Sequence, residues 1–554
     1  MPGFARRALC DHCWAMSATT TARPEPVQPA EWARRSIRPS LLGPTAFAVA
    51  NAVAFFILRP GVNDLWAARA RASAAEHGVG LDYWFSWFGG GSTPGNYSIV
   101  TPYLSAAIGT ELVLALATVI SAVLVCLVVR DTPHELAASW LGAVALVCTM
   151  WSGRVPFGLG AAAALGALLA LIHGKRWLMV ALTVVSISAS PLAGAFLVLG
   201  LSGTFLTTRT KEYRPIIGYV VITAGVSLIL TTFAFGAPGP EPFTNALFSA
   251  LTAGVILGFS GAPDHLRTTF GVTAIAVVVA WTVPNGVGSN IARFVWFVLP
   301  VAALALSTKR VAIALLATAP LVAIGSITTV TDLIHASEPI SSVAYYKSLV
   351  NRLDDIPDLR NYRVELVDHG GRAGYDALLE HAWLARGWET QEDTALNAPL
   401  TEDPLDPVTY KLWLDNNAVG YVALPSASVI TYPEYKLVSS DVPPYLTRIW
   451  WDTKWDLFRV DNPTPIVATP ASMIRHDQKS MTLRVPCRCT IAVRVRWSRF
   501  LTAALQKSPS GKETVDATPS QNADLRDDGS GWTVLTTHKP GVYVVRASLS
   551  GLLR

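Results

Sequence analysis

Asp64 is the acidic residue whose position best suits chemistry. It comes six positions after the first apolar run, which ends near residue 58, where a chain leaving a membrane would meet water. A partly desolvated carboxylate there can act as a general base and take a proton from a hydroxyl. The alternative is an aspartate that caps the helix read over residues 62–77. Asp82 and Glu76 are weaker candidates of the same kind, and His77 could meet a phosphate when protonated. Nearby stand Trp84, Trp87 and Tyr97, with a glycine run at residues 89–91. Their rings suit the apolar face of a sugar or a polyprenyl chain, and glycine lets backbone come close to a ligand. The same rings also suit a belt at the membrane surface. Arg154 and Arg293 fall at the outer ends of later apolar stretches, where a guanidinium either needs a partner or snorkels to the interface.

The elements that must hold these residues follow from an uneven composition. The 554 residues are 51% hydrophobic and 15% charged. Of the 83 charged side chains, 9 lie in residues 1–39, 23 in 40–331 and 51 in 332–554. The middle is thus roughly 8% charged and the C-terminal part roughly 23%, near the globular norm. Disorder, a coiled coil, a collagen-like fibre and a small disulfide scaffold are excluded. The net charge of +5 splits into +8 before residue 332 and −3 after it. No basic stripe suggests nucleic acid, so the excess reads as a topology signal.

Apolar stretches at about 40–58, 104–129, 137–151, 155–172, 177–189, 191–206, 215–235, 246–261, 269–283, 291–306 and 311–331 predict about eleven transmembrane helices. Lys and Arg gather in alternate loops, at Arg130, Lys175 with Arg176, Arg209 with Lys211 and Arg214, Arg267, and Lys309 with Arg310. Those loops read as inner, together with the arginine-bearing N-terminal segment. An odd number of spans then places residues 59–103 and the C-terminal region on the outer face of the cytoplasmic membrane. The expected fold is an all-α polytopic bundle over 40–331, preceded by a disordered segment at 1–39. After it come an α/β domain at 332–455 and a β-sandwich-like domain at 456–554, where short alternating runs are bounded by turn residues. The helix over 62–77 is expected to lie in the interface. Glu111 is the one clear acid within a span, and His381, Arg386 and Glu389 are polar candidates in the outer part.

Cysteine usage adds little. Cys10 and Cys13 have no second pair at zinc-site spacing, and Met16 offers an alternative start. No cleavable signal peptide is evident, since the first apolar run begins near residue 40. Cys487 and Cys489 read as neighbours on one strand face, a poor geometry for a mutual disulfide.

The order of these features resembles the GT-C type of polytopic membrane glycosyltransferase, and in particular a group of actinobacterial integral membrane proteins often labelled membrane protein or transporter. The segments carrying the likeness are WFGG at 87–90, PGNYS at 94–98, GRVPFGLG at 153–160, ASPLAG at 189–194, NGVGSNIAR at 285–293 and LARGWE at 384–389. The likeness extends over most of the chain and rests on architecture more than on any one segment. It implies an extracytoplasmic site with Asp64 as base and an inverting transfer from a polyprenyl-phosphate sugar. The acceptor would be a cell-envelope glycan or lipid. Arg154 and Arg293 would bind the donor phosphate, with Asp82, Trp84, Trp87 and Tyr97 on the substrate. No cofactor is implied, and a divalent metal is possible without being implied, because a second acidic motif is missing. Two other classes remain open: a secondary transporter or lipid flippase, and a non-catalytic envelope scaffold.

Overall fold

The computed structural model describes residues 39–91, 93–207, 213–236, 239–258, 262–367, 370–426, 432–506 and 523–548. The expectations for residues 1–38, including Cys10, Cys13 and Met16, lie outside them. The first part of the chain is helical: α1 (Pro39–Leu58), α2 (Asn63–Glu76), α3 (Thr101–Ile108), α4 (Thr110–Val128), α5 (Glu135–Trp151), α6 (Val155–Ile172), α7 (Arg176–Ala189), α8 (Pro191–Thr207), α9 (Tyr213–Phe235), α10 (Asn245–Gly258), α11 (Asp264–Thr282), α12 (Leu299–Leu306) and α13 (Val311–Ala336). A π-helical turn, Phe294–Val298, leads into α12.

Each apolar stretch read from the sequence is mainly helical over its described residues, but the expected count of eleven spans is not matched by length and composition. Among the described residues, six segments are long and apolar enough to cross a membrane: Pro39–Leu58, Thr110–Val128, Val155–Ile172, Arg214–Phe235, Gly288–Leu306 and Val311–Ala336. Four others are shorter apolar helices, and α11 opens on Asp264, His265 and Arg267. Large apolar side chains such as Ile229, Phe233, Leu316 and Ile327 are exposed, which suits a surface meeting lipid rather than water.

The bundle has two distinct ends. At one, Ser40 contacts Glu135 and His134 Nε2 lies 2.8 Å from the Lys309 carbonyl oxygen. At the other, Asp64, Arg154, Arg293 and Asp332 meet. Cross-links between helices set that second end. Trp151 Nε1 donates to Asn51 Oδ1 at 3.1 Å, and Thr329 Oγ1 donates to the Cys148 carbonyl at 3.0 Å. These bonds hold α1, α5 and α13 together.

Helix α2 does not lie on a surface. Leu65, Trp66, Ala68, Ala70, Arg71, Ala72 and Ala74 are buried, so small side chains let neighbours pack against it on several sides. Trp66 Nε1 reaches both the Gly61 and Ser341 carbonyls at 3.1 Å, tying α2 to the chain that leaves α13. Glu111 lies at the end of its span, Thr110–Val128, rather than in the middle. Gly109 adopts φ +92°, a conformation glycine enters without strain. The helix breaks there, and Glu111 falls in the first turn of α4 facing Arg69.

The rest of the chain is β-rich. Strands β1 (Arg363–Leu366), β2 (Val419–Pro425), β3 (Leu446–Trp451) and β4 (Trp455–Val460) form one sheet in the order β1-β2-β4-β3. β1 and β2 are parallel and the other pairs antiparallel. β2 is buried along its whole length, so its run VGYVALP is almost continuously apolar. Helices α14 (Lys347–Asp354) and α15 (Ala373–Ala377) flank β1 in the chain, and α16 (Thr390–Leu396), α17 (Pro407–Asn416) and α18 (Pro433–Ser440) follow. Because β4 completes this sheet, the boundary expected at residue 455 lies beyond Val460.

Two further sheets pack face to face: β5 (Ser472–His476), β6 (Ser480–Val485), β11 (Gly541–Ala547) and β8 (Leu501–Leu505) in the order β5-β6-β11-β8, and β7 (Thr490–Arg496), β10 (Trp532–Thr537) and β9 (Ala523–Asp527) in the order β7-β10-β9. Alternate residues such as Ile491, Val493 and Val495 point into the shared core with Met481, Leu483 and Tyr543. Cys487 and Cys489 are disulfide-bonded, contrary to the expectation. They sit in the turn between β6 and β7 rather than on a strand, and the bend leaves their Cα atoms 5.4 Å apart, within normal disulfide reach.

Candidate functional site

Asp64 stands in the first turn of α2, whose N-terminus has no side-chain cap hydrogen bond. The capping alternative is therefore unmet, and the carboxylate is turned toward two guanidinium groups. Arg154 Nε lies 3.5 Å from Asp64 Oδ2, and Arg293 Nη2 lies 3.9 Å from the same oxygen. Arg154 also approaches Asp332 of α13 at 3.9 Å.

Local backbone explains why Arg154 points there. Gly153, at φ +75°, makes the tight turn between α5 and α6. A Cβ at Gly153 would come within 2.7 Å of the Leu65 backbone nitrogen. Only glycine lets this turn touch α2, and the next residue is Arg154. Arg293 is set by the NGVGSNIAR loop, where Asn285 Oδ1 accepts the Val287 and Gly288 amides at 2.9 and 2.8 Å. The π-helical turn begins straight after it, a local irregularity often found at functional positions.

These groups line one cavity of about 120 Å³, with Arg71, Tyr97, Glu241, Asn290, Trp388 and Glu389. Its roof comes from the β-rich part of the chain, through Trp388 and Glu389. Arg71 contacts the buried Glu389, and its guanidinium stacks 4.7 Å from the Tyr97 ring. Glu392 accepts from Asn96 Nδ2 at 2.9 Å. On the opposite wall, Ser289 Oγ donates to Glu241 Oε1 at 2.8 Å, and the Glu241 amide donates to the Asn285 carbonyl at 2.9 Å.

The electrostatics are those of an enclosed polar chamber. Burial lowers Arg154 to about 10, with the Arg293 charge adding and Asp64 and Asp332 opposing. It stays protonated near neutrality. Burial lowers Arg71 to about 10 as well. Burial also raises the Glu241 carboxyl, and the Asp64 charge adds to this against Ser289 and Arg293. Tyr97 is raised by burial and by Asp64, so its phenol keeps its proton.

Arg154 is the group with capacity to spare. Its Nε and Nη1 are buried without a hydrogen-bond partner, and its ion pairs are long. An anion entering the cavity would find unused donors on Arg154 and a loose contact at Arg293, an arrangement suited to phosphate. Asp64 faces the same space and could take a proton from a hydroxyl held there.

The other expected residues lie elsewhere. Trp84 and Trp87 are fully buried and stack on each other, ring centroids 4.4 Å apart. They belong to the core beneath the first sheet and have no face to offer a substrate. Asp82 is buried away from the cavity lining, its carboxyl raised by burial. His77 pairs with Glu380 at 3.2 Å and His381 with Asp354 at 3.0 Å. Arg386 is buried in a carboxylate network outside the cavity lining. Two residues were missed. Asp332 falls one position beyond the span as read, whereas α13 runs on to Ala336. Glu241 is the sole acidic residue between 213 and 263, a signal that was available.

Residues 468–551 match a family described as a domain of unknown function, DUF8823. The match coincides with the two-sheet β unit and does not reach the cavity residues. No curated protein matches the chain.

Proposed function

We propose that the chain is an integral membrane glycosyltransferase of GT-C type, moving a sugar from a polyprenyl-phosphate donor to an envelope glycan or lipid acceptor. Asp64 takes the proton of the acceptor hydroxyl as its oxygen attacks the anomeric carbon. The bond from that carbon to the phosphate oxygen breaks with inversion, and the electron pair leaves on the phosphate. Arg154 and Arg293 neutralise the departing anion.

The observation that carries this reading is the convergence of Asp64, Arg154 and Arg293, from three separate segments, on one cavity roofed by Trp388 and Glu389. In this reading the eleven helical stretches all cross the cytoplasmic membrane, with the N-terminus inside. The cavity and the β-rich region then face outward. Basic inner loops support that orientation, as does the Cys487–Cys489 disulfide, since disulfides persist in oxidising compartments. The transporter reading gains nothing comparable, because the acidic and basic residues of the described apolar helices lie near helix ends rather than forming a relay through the bundle.

The test is Asp64→Asn in purified, detergent-solubilised protein supplied with a polyprenyl-phosphate sugar. Transfer should fall about a hundred- to ten-thousandfold at unchanged unfolding temperature. Full retained transfer would remove Asp64 as base. Substrate movement across a vesicle membrane with no transfer at all would favour a flippase.

A further inference from the structure

On the other face of α2 lies a second, larger and more open cavity of about 470 Å³. Helical periodicity separates the two: Asp64, Ala68 and Arg71 border the first, while Arg69, Ser73 and Glu76 border the second. The second is bounded by α2, by the break between α3 and α4, and by α15 with the residues after it.

Its walls carry an excess of negative charge. Arg69 is the one arginine, and it is committed: Nε and Nη2 donate to Glu111 at 3.0 and 2.6 Å. Glu380 lies 3.2 Å from His77. Glu76 and Asp376 have no cation within ion-pair distance among the described residues. Burial pushes Asp376 up to about 6, with Arg69 opposing and Glu380 and Glu111 adding.

A second observation is independent of these carboxylates. Ser105, only 2% exposed, lines the cleft with a buried hydroxyl that has no hydrogen-bond partner. Beside it, Gly109 has nothing within 4 Å of where a Cβ would be, so the wall is open at that point. A buried hydroxyl left unpaired is costly, and a ligand bearing a hydrogen-bonding group would satisfy it. Among the described residues no three His, Cys, Asp or Glu side chains converge so as to hold a metal ion. Two carboxylates beside a hydroxyl at an open cleft suit a cation that itself donates hydrogen bonds, such as an ammonium.

We propose that this cleft binds a primary ammonium group on a hydroxyl-bearing ligand, with the ammonium between Glu76 and Asp376 and a polar group of the ligand at Ser105. The inference stands apart from the transfer reading and does not need it. The ammonium could belong to a soluble amino sugar or to a lipid headgroup, since exposed Ile108 directly precedes Gly109 of the cleft wall.

Full-length protein in detergent is titrated with glucosamine and with N-acetylglucosamine, which differs by loss of the charge. A parallel arm compares phosphatidylethanolamine with its N-acetylated form in nanodiscs. Binding of either amine at least tenfold tighter than its acetylated form supports the proposal, and the arm that responds identifies the source. Glu76→Gln combined with Asp376→Asn should lower that affinity at least tenfold, and Ser105→Ala severalfold, with no fall in unfolding temperature. If the double variant does not fold, the exposed Glu76→Gln serves alone, with a smaller loss expected. Equal binding of amine and acetylated form, undiminished binding in the carboxylate variants, or no binding in either arm overturns the proposal.

Discussion

Arg386 and Arg154 are both taken out of water, but their surroundings differ in how far they use the guanidinium. Arg386 donates to Asp393 from Nε and Nη2 at 2.9 and 2.5 Å and to Glu434 from Nη1 at 2.5 Å, with Glu365 at 3.7 Å. Burial works against its charge, yet Asp393 and Glu434 outweigh burial and raise its pKa well above the ordinary value. Arg154 has only long contacts, from Nε to Asp64 and from Nη2 to Asp332, leaves Nη1 without a hydrogen-bond partner, and is lowered to about 10. A saturated buried arginine holds a fold together. One with spare donors facing a cavity is poised for something that is not part of the chain.

Stability measurements should separate the two most sharply. Arg386→Met removes the guanidinium that Asp393 and Glu434 accept from, and breaking a buried pair from one side costs about 3–5 kcal/mol. Unfolding temperature and yield should drop accordingly. Arg154→Met should shift stability by less than about 1 kcal/mol, because its contacts are long and its partners partly exposed. Equal losses would erase the distinction.

Activity should reverse the ranking. Arg154→Met is expected to lower sugar transfer about a hundred- to thousandfold, the range for losing one preorganised donor to a developing anion. Arg154→Lys should recover only part of it, because an ammonium cannot reproduce the planar fork. Asp332 touches Arg154 and is a positioning residue, so Asp332→Asn should cost about tenfold. That effect should vanish in the Arg154→Met background, where a shared partner makes the losses non-additive. Additive losses would mean that Asp332 acts on its own.

The residues that line the candidate site were legible where span boundaries could be read. Asp64, Arg154 and Arg293 were found because charge at the end of an apolar run is costly and stands out. Asp332 was lost because hydropathy falls before α13 ends. Trp84 and Trp87 show a different limit. Composition marks an aromatic segment near a membrane but not which core receives it. In the fold, Tyr83 and Phe85 enter the β-sandwich core while Trp84, Trp87 and Phe88 enter the core of the first sheet. The segment is a two-sided wedge joining the two β-rich units, and its alternation of faces becomes meaningful only once both units exist. The bend that brings Cys487 to Cys489 was hidden for a similar reason, since strand alternation was extended through a turn.

Asp376 supplies the smallest and most condition-dependent contrast with Arg386: an ionisable group at an open cleft, its charge opposed by burial and only partly compensated. The groups facing it are Arg69 and Glu76 of α2, Glu111 of α4, and Glu380 and His381 beyond α15. With its pKa raised from 3.8 to about 6, protonated Asp376 favours the folded state. That contribution is complete below about pH 4 and is lost as pH rises through 6. Asp376→Asn should therefore leave stability near pH 4 unchanged and raise it at pH 7.5 by about 1 kcal/mol once solvent screening is allowed for. Thermal unfolding across that range reads the difference between the two proteins. A ligand ammonium would add a second signature: it needs the ionised carboxylate, so glucosamine should stabilise the wild-type chain at pH 7.5 and lose most of its effect at pH 5. Stabilisation that is the same at both pH values, or that persists in Asp376→Asn, would place the ammonium away from this carboxylate.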